Sequence, residues 1–401
     1  MIIVRNGSSY YYSQKSLRKA IRSQDFWRFK FRKEDIKKEI ERIASFVAVD
    51  SNKIVLLNKT KLKSKDVFIA GSLDDTLLLR CTDWILKKGF FISNFDRNED
   101  IKQIINLVSH NKNYSIYRTD IKNFFESIKF NEVVSRLENS DFFNFSVIEY
   151  LKSLEQYLKN KNVYTIPRGL SISSTLSNIY LMELDKLIYK DFNVIFYSRY
   201  VDDILLITED DTSEIFNRIS IWMNANGLSL NTEKTKHIKS NNPDRSFEYL
   251  GYKFIKPNDK YEIGIAEKKI NKIKTRICLA IKGFLKDRNY SLLLRRLQFL
   301  SGNTEMKIAG RSKRLVHGIR YQYSLASKEN LRIYIKELDI FYHKLLKAKR
   351  YSVSMKLRNI LNSSQYTELK NISFSAGFEK KITRFEDRKS ISQIKRIWMH
   401  V

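Results

Sequence analysis

Apolar and polar positions change period several times along the chain, and each change marks an element. From Ser16 to Phe46, the apolar residues Leu17, Ile21, Phe26, Phe29, Ile36, Ile40 and Ile43 recur at helix-like intervals among basic ones. This predicts a packed, basic-faced helical lead-in after Tyr10-Tyr11-Tyr12. Residues 47–70 alternate strand-like segments with lysines: Ile54-Val55-Leu56-Leu57, then Lys59, Lys61, Lys63 and Lys65, then Val67-Phe68-Ile69. Alternate residues of a strand share a face, so these lysines form either a phosphate-facing row or a charge-protected edge. A helical pattern covers residues 74–91, and residues 114–119 read as a strand entering Asp120. Asn131 is placed to cap a helix to Leu137, and Ser140 or Asp141 to cap another reaching about Leu158. A turn rich in glycine and serine, residues 166–174, precedes an apolar helix over 175–189. Residues 192–207 read as strand, turn and strand. A helix near 213–226 stops at Gly227, and residues 247–254 give a further strand. Beyond Ile265 the pattern is nearly all helical and dense in Lys and Arg. A domain boundary is placed around Pro257-Asn258-Asp259, giving expected segments 1–46, 47–115, 116–263 and 264–401.

Composition narrows the class of partner. Among 401 residues, 74 Lys and Arg face 44 Asp and Glu, a net charge of +30 spread over the whole length. Such a field calls for a polyanion, and an aromatic content of 13% suits bases better than lipid headgroups. No apolar run approaches the roughly 20 residues of a spanning helix, and the N-terminus lacks a signal-peptide core. Cys81 and Cys278 give neither a disulfide framework nor zinc spacing, which points to a reducing cytoplasm. The five histidines are scattered without metal-ligand spacing.

Against this background one stretch stands out, Ser198-Arg199-Tyr200-Val201-Asp202-Asp203-Ile204-Leu205-Leu206-Ile207. Its flanks favour strands, and an ordinary strand has no use for two consecutive acids. Neighbouring strand side chains point to opposite faces, so Asp202 and Asp203 converge only where the chain turns, and Tyr200 and Asp202 are expected to share a face. The plain alternative is a solvated hairpin turn. Asp74-Asp75 and Asp210-Asp211 are internal controls, since they lack the tyrosine and the two-sided apolar flank. Asp120 ends a strand-like run and, taken alone, reads as a helix N-cap. Joining nucleotides needs a deprotonated 3′-hydroxyl and a stabilised pyrophosphate, which two Mg²⁺ ions about 3.5–4 Å apart supply. Mg²⁺ prefers carboxylates and water, so Asp120 with Asp202 and Asp203 meets the minimum if their strands are adjacent.

At these residues the chain resembles the reverse transcriptases, over roughly residues 50–260. Asp120-Ile121-Lys122-Asn123-Phe124-Phe125 looks like the family's first catalytic motif. Pro167-Arg168-Gly169, with Leu176-Ser177-Asn178-Ile179-Tyr180-Leu181, looks like its second, and Tyr200-Val201-Asp202-Asp203 like its third. Leu230-Asn231-Thr232-Glu233-Lys234-Thr235 and Tyr249-Leu250-Gly251-Tyr252 are similar to the next two, the last being the primer grip. The resemblance implies an α+β right-hand fold. Fingers would occupy 47–115, a palm on a small antiparallel sheet 116–263 with finger helices at about 131–165, and a basic helical thumb and C-terminal region 264–401. It implies that Asp120 and Asp202 hold two Mg²⁺, with Mn²⁺ able to substitute, while Asp203 assists and the Ile121 carbonyl adds a ligand. Phe125 would exclude a 2′-hydroxyl and favour deoxynucleotides; its bland reading is a core ring beside Phe124. Lys234 would be the acid for the leaving pyrophosphate, or else a helix-surface lysine. Lys63, Lys65, Arg168 and Gly169 would contact the nucleotide, and Tyr200, Tyr249, Leu250 and Gly251 the primer or template. One departure is Arg168, where the family usually carries Gln; Arg donates hydrogen bonds, cannot accept one, and adds a charge.

No ribonuclease H acids, protease or His/Cys nuclease motif follows, and Ile308-Ala309-Gly310 is a poor substitute for the Val-Thr-Gly motif of retron thumbs. Within the family the resemblance is to bacterial defence-associated enzymes, the abortive-infection and retron-like groups. The implied function is RNA-directed DNA synthesis on a partner non-coding RNA, with dNTPs as substrates and DNA as product, in antiphage defence. Untemplated or protein-primed synthesis, from a hydroxyl such as those of Tyr10-Tyr11-Tyr12, is one alternative. An inactive, maturase-like RNA-binding protein is another. A homo-oligomer or partner protein fits the basic helices equally well.

Overall fold

A computed structural model describes residues 12–49, 56–62, 65–93, 95–110, 113–140, 145–209, 211–239, 242, 245–256, 261–307, 314–349 and 352–398. The chain forms two compact units, Met1–Asp96 with Asn113–Asn241, and Arg97–Lys112 with Asn242–Val401. The expected break at Pro257-Asn258-Asp259 lies outside the described residues, as do Lys63, Tyr10, Tyr11 and Ile308-Ala309-Gly310.

In the first unit the helical lead-in is three helices, α1 (Gln14–Ala20), α2 (Ser23–Arg28) and α3 (Ile36–Val49). The extended backbone of Ile21 interrupts it first. A hairpin of β1 (Leu57–Leu62) and β2 (Lys65–Ala70) follows, then α4 (Leu73–Gly89), whose N-cap Ser72 accepts the Asp75 N–H at 3.0 Å. Next in the chain is α5 (Arg97–His110), part of the second unit and covered by no element expected above; Ile101, Ile104 and Val108 are its buried side. The first unit resumes with β3 (Ser115–Asp120), α6 (Phe124–Ser127), α7 (Phe130–Glu138), α8 (Phe145–Lys159) and α9 (Ser173–Asp191). It ends with β4 (Val194–Tyr200), β5 (Asp203–Thr208), α10 (Thr212–Ala225), a 3₁₀ turn at Thr232–Lys234 and β6 (Lys236–Ile238). Helix α7 buries Phe130, Val133, Val134 and Leu137, one face at helical spacing. It starts before Asn131, which is therefore not its cap. Lys129 holds that position without a side-chain bond, and the Phe130 N–H is anchored instead to the Tyr164 carbonyl at 2.9 Å.

Four strands run β4-β5-β3-β6, all neighbours antiparallel. Ile204, Leu205, Leu206 and Ile207 are all buried, which is what an unalternating apolar run in a central strand covered on both faces produces. Leu77, Leu137, Leu154, Leu176 and Leu184 join Ile204 and Leu206 in one continuous core, so the ends of β3 and β5 are mounted on a rigid base.

The second unit carries a three-stranded meander, β7 (Phe247–Tyr249), β8 (Tyr252–Ile255) and β9 (Glu262–Ile265), then α11 (Glu267–Asp287) and α12 (Tyr290–Ser301). Beyond these the all-helical expectation is corrected by a second sheet, β10 (Asn303–Lys307), β11 (Arg314–Gly318) and β12 (Thr383–Phe385), in the order β11-β10-β12. Between β11 and β12 lie α13 (Ile319–Gln322), α14 (Lys328–Lys347), α15 (Ser352–Ile360), α16 (Ser363–Lys370) and α17 (Phe374–Glu379), and α18 (Arg388–Lys395) comes last. β12 pairs parallel to β10 across this helical run, and local periodicity carries no signal for so distant a partner. The whole is α+β, with small sheets set among helices, antiparallel except for the β10–β12 pair. No helix among the described residues is long and apolar enough to cross a membrane.

Candidate active site

The β4–β5 hairpin pairs Tyr200 with Asp203, so the connecting turn is Val201-Asp202. Asp202 thus lies outside the strand period, and it is Asp203, not Asp202, that stands opposite Tyr200. Val201 has φ +61°, a left-handed conformation costly for a β-branched residue, which the surroundings must impose. Two contacts do so. The Ile121 N–H donates to the Asp202 carbonyl at 3.0 Å. Beneath the turn, the buried Arg199 guanidinium donates to Asp185 at 2.8 and 2.6 Å, to Asn178 Oδ1 at 2.9 Å and to the Val201 carbonyl at 3.3 Å. Arg199→Leu would leave Asp185 without its cation, a loss of about 3–5 kcal/mol that corresponds to a fall in Tm of about 6–20 °C. A melt with Arg199→Leu unchanged would show that the fork does not hold the turn, and adding Asp185→Leu is expected to recover part of the loss.

Strand β3 brings the third acid. Asp120 is paired with Asp203 across the β3–β5 ladder, so their side chains share one face. The two are held apart by cations: Lys234 Nζ lies 2.6 Å from Asp120 Oδ2, and Arg118 donates to Asp203 at 3.2 and 3.3 Å. The Asn231 N–H donates to the Asp120 carbonyl at 2.7 Å, fixing the Lys234 turn beside β3. Burial, reinforced by the charge of Asp120, pushes the Asp202 carboxyl above its ordinary range. Burial likewise raises Asp203, against the pull of Arg118. Among the described residues no three Asp, Glu, His or Cys side chains are close enough together to enclose a metal ion. The donor chemistry nevertheless fits hard divalent cations: three carboxylates at two paired strand ends, two of them disfavoured as bare anions, with Lys234 and Arg118 supplying counter-charge.

A second cluster surrounds Phe125. Arg168 grips Glu126 through Nε and Nη2 at 2.6 and 2.8 Å and lies 5.0 Å over the Phe125 ring, while Lys65 Nζ reaches Glu126 at 3.2 Å. Arg168, and to a lesser degree Lys65, hold the Glu126 carboxyl down at about 2, and the charge of Asp202 also acts on Arg168. The added charge of Arg168 is therefore matched by the residue that directly follows the first motif. Gly169 has φ +96°, and the close approach it permits is to β2: a Cβ would stand 2.5 Å from the Phe68 carbonyl oxygen and from Val67 Cγ1. Of the three tyrosines near the N-terminus only Tyr12 is described, and it is buried with its hydroxyl 2.6 Å from Thr82 Oγ1, which removes it as a primer.

Tyr200 is half exposed and its ring packs 4.9 Å from Phe95. In the second unit Leu250 and Gly251, φ +49° and +87°, form the two-residue turn between Tyr249 and Tyr252, the geometry that fits a twisted hairpin. Arg97 donates to the Leu250 carbonyl at 2.9 Å and covers the Tyr252 ring at 4.6 Å. Arg118, Glu126, Arg199 and Asp185 were not singled out by their sequence pattern. Arg118 had one usable signal, its position two residues before Asp120 on the same strand face.

Residues 75–254 match the family model described as reverse transcriptase (RNA-dependent DNA polymerase). Over 220 residues the chain is 27% identical to the retron Ec73 reverse transcriptase of Escherichia coli, covering 50% of this chain and 65% of that one. Among solved structures, the telomerase of Candida albicans in complex with a TWJ fragment of telomeric RNA is 12% identical, with a TM-score of 0.41 over 90% of this chain and 66% of that one. Apo telomerase from Candida tropicalis, truncated from its C-terminal domain, is 16% identical, with a TM-score of 0.34 over 56% of this chain and 47% of that one.

Proposed function

We propose that this chain, whose residues 75–254 belong to the reverse transcriptase family, is an RNA-directed DNA polymerase. The observation that carries the reading is the pairing of Asp120 with Asp203 across β3 and β5, with Asp202 in the adjoining turn, inside that segment. Asp120 and Asp202 would hold two Mg²⁺, or Mn²⁺ in their place, with Asp203 and the Ile121 carbonyl as further oxygen donors; bound there, the ions supply activation of a primer 3′-hydroxyl and charge neutralisation of pyrophosphate. Lys234, already within hydrogen-bond reach of Asp120, is assigned the proton for the leaving pyrophosphate. Arg168 and Lys65, which share Glu126, are assigned to the triphosphate together with Lys63, and Gly169 keeps Arg168 at β2. Tyr200 and the Tyr249-Leu250-Gly251 hairpin are assigned to primer and template strands.

We further propose, from the resemblance of its motifs to the bacterial defence-associated enzymes, that the template is a partner non-coding RNA, the product DNA, and the setting antiphage defence in a bacterial cytoplasm. The pairing of Asp120 with Asp203, with Asp202 in the adjoining turn, supports an active enzyme over an RNA-binding relic.

The test is extension of a DNA primer on an RNA template with dNTPs against NTPs, for wild type and Phe125→Ala. Wild type is expected to prefer dNTPs, and removing the ring to narrow that preference by about 10–100-fold, the range over which a pocket wall discriminates small groups. A wild type that uses NTPs equally well, or a Phe125→Ala enzyme with undiminished preference, would overturn the sugar-gate assignment. Product made without any template would favour untemplated synthesis.

A further inference from the structure

A basic cleft of about 590 Å³ lies in the second unit, whereas Asp120, Asp202 and Asp203 belong to the first. It is lined by the end of α11, the start of α12 and the last turn of the described chain, and its charged walls are Lys286, Arg295, Arg296 and Arg396 against a single acid, Asp287. Arg295 is already tied to Glu386 by a two-pronged ion pair. Arg296 is different. It is 5% exposed, and its Nε and Nη1 have no hydrogen-bond partner among the described residues; Asp287 stands 3.8 Å from Nη1, beyond hydrogen-bonding distance. A buried guanidinium with unpaired N–H groups is costly, and burial pushes its proton affinity below the ordinary range despite Asp287. It needs an acceptor that brings negative charge.

The start of α12 faces the same space. Its N-cap Asn289, which lines the cleft, accepts the Leu292 N–H at 3.0 Å, and the Leu293 N–H is bonded to the Asn289 carbonyl at 3.1 Å. Helix geometry gives the N–H groups of the first two helical residues, Tyr290 and Ser291, no intrahelical acceptor at the positive end of this twelve-residue helix, where the Asp287 carboxylate accepts the neighbouring Asn289 N–H at 3.0 Å. Gly283 lies in the same wall: a Cβ there would collide with Ile397 Cδ1 and stand 2.9 Å from Arg296 Nη1, so the bare backbone is what lets both side chains pack against α11.

We propose that this cleft is a phosphoryl-binding site, with Arg296 as its buried donor, Lys286 and Arg396 as exposed counter-charges and the N-terminus of α12 as its fixed dipole. The phosphoryl group comes either from a nucleic-acid backbone or from a free nucleotide, and both present the tetrahedral oxyanion that guanidinium and helix N–H groups recognise. The site stands independently of the polymerase reading, because binding is read without catalysis.

The full chain is titrated with inorganic phosphate, with AMP and with a 12-nucleotide single-stranded RNA, and compared with Arg296→Gln and with the surface double variant Lys286→Gln plus Arg396→Gln. Thermal shift reads the small anions, and fluorescence anisotropy reads the RNA across a salt series. If the source is a strand, the double variant binds RNA at least fivefold more weakly, and the slope of log Kd against log salt falls by about 0.7 per lost phosphate contact. If the source is a free nucleotide, the thermal shift with phosphate or AMP disappears in the double variant while RNA affinity stays unchanged. Should Arg296→Gln fail to fold, the surface double variant decides alone. Equal binding of all three probes by wild type and the double variant would overturn the proposal.

Discussion

Asp202→Asn is expected to lower primer extension by about 10³-fold or more while raising the melting temperature. The activity loss follows because the substitution removes one of the two carboxylates assigned to both ions. Stabilisation of several kcal/mol by such ions converts to a factor of ten for every 1.36 kcal/mol. The stability gain follows from burial and the charge of Asp120, both of which disfavour the Asp202 anion in the folded protein. A carboxyl whose folded pKa is raised holds its proton more tightly folded than unfolded. Above that raised pKa the anion is present in both states and the folded state carries the full penalty. Below the ordinary carboxylate range both states are protonated and the penalty is gone. The Asn variant should therefore melt higher at neutral pH, measured with a chelator present, and the difference should shrink as the pH falls towards the ordinary carboxylate range. A variant that melts lower at neutral pH would mean that the Asp202 charge is stabilising, contrary to its placement.

Gly169→Ala is the second large effect. At φ +96° an alanine is strained in any surroundings, and its methyl would stand 2.5 Å from the backbone oxygen of Phe68 and from Val67 Cγ1. The Phe68 N–H to Arg168 carbonyl bond of 2.7 Å must then lengthen or break, moving the segment that carries the Arg168–Glu126 pair. Backbone strain and overpacking each cost about 1–3 kcal/mol, so the expected fall in Tm is about 4–24 °C. Affinity for dNTP should drop even in the protein that remains folded. A melt within 2 °C of wild type would show that β2 yields at no cost, since roughly 1 kcal/mol shifts Tm by about 2–4 °C in a domain of this size.

How far the sequence could be read depended on whether a residue conflicted with its own neighbourhood. Asp202 and Asp203 were legible because acids interrupt a strand-prone run whose second half, Ile204 to Ile207, is wholly buried, and the turn between β4 and β5 lies where two consecutive acids require it. Asp120 was legible through its position at the end of an apolar strand, and Lys234 through the residues around it. Arg199 and Asp185 were not, because an arginine on a strand and an aspartate on a helix each look solvated until packing brings them to 2.6 Å. Glu126 follows Phe125 and resembles any helix-surface acid; only the fold of the distant Pro167-Arg168-Gly169 turn reveals its partner. Gly169 was expected to give a ligand room, and the structure gives that room to β2. The sheet of β10, β11 and β12 escaped because its strands are only 5, 5 and 3 residues long and one of them pairs across five helices.

The most direct test of the central claim is to sequence the DNA that the wild-type chain makes from a primed RNA template of defined, non-repeating sequence with all four dNTPs and Mg²⁺. The claim predicts a product complementary to the template, absent when Asp202 and Asp203 are both changed to Asn. No polymer from a folded, RNA-binding protein, or a polymer whose sequence ignores the template, would contradict it.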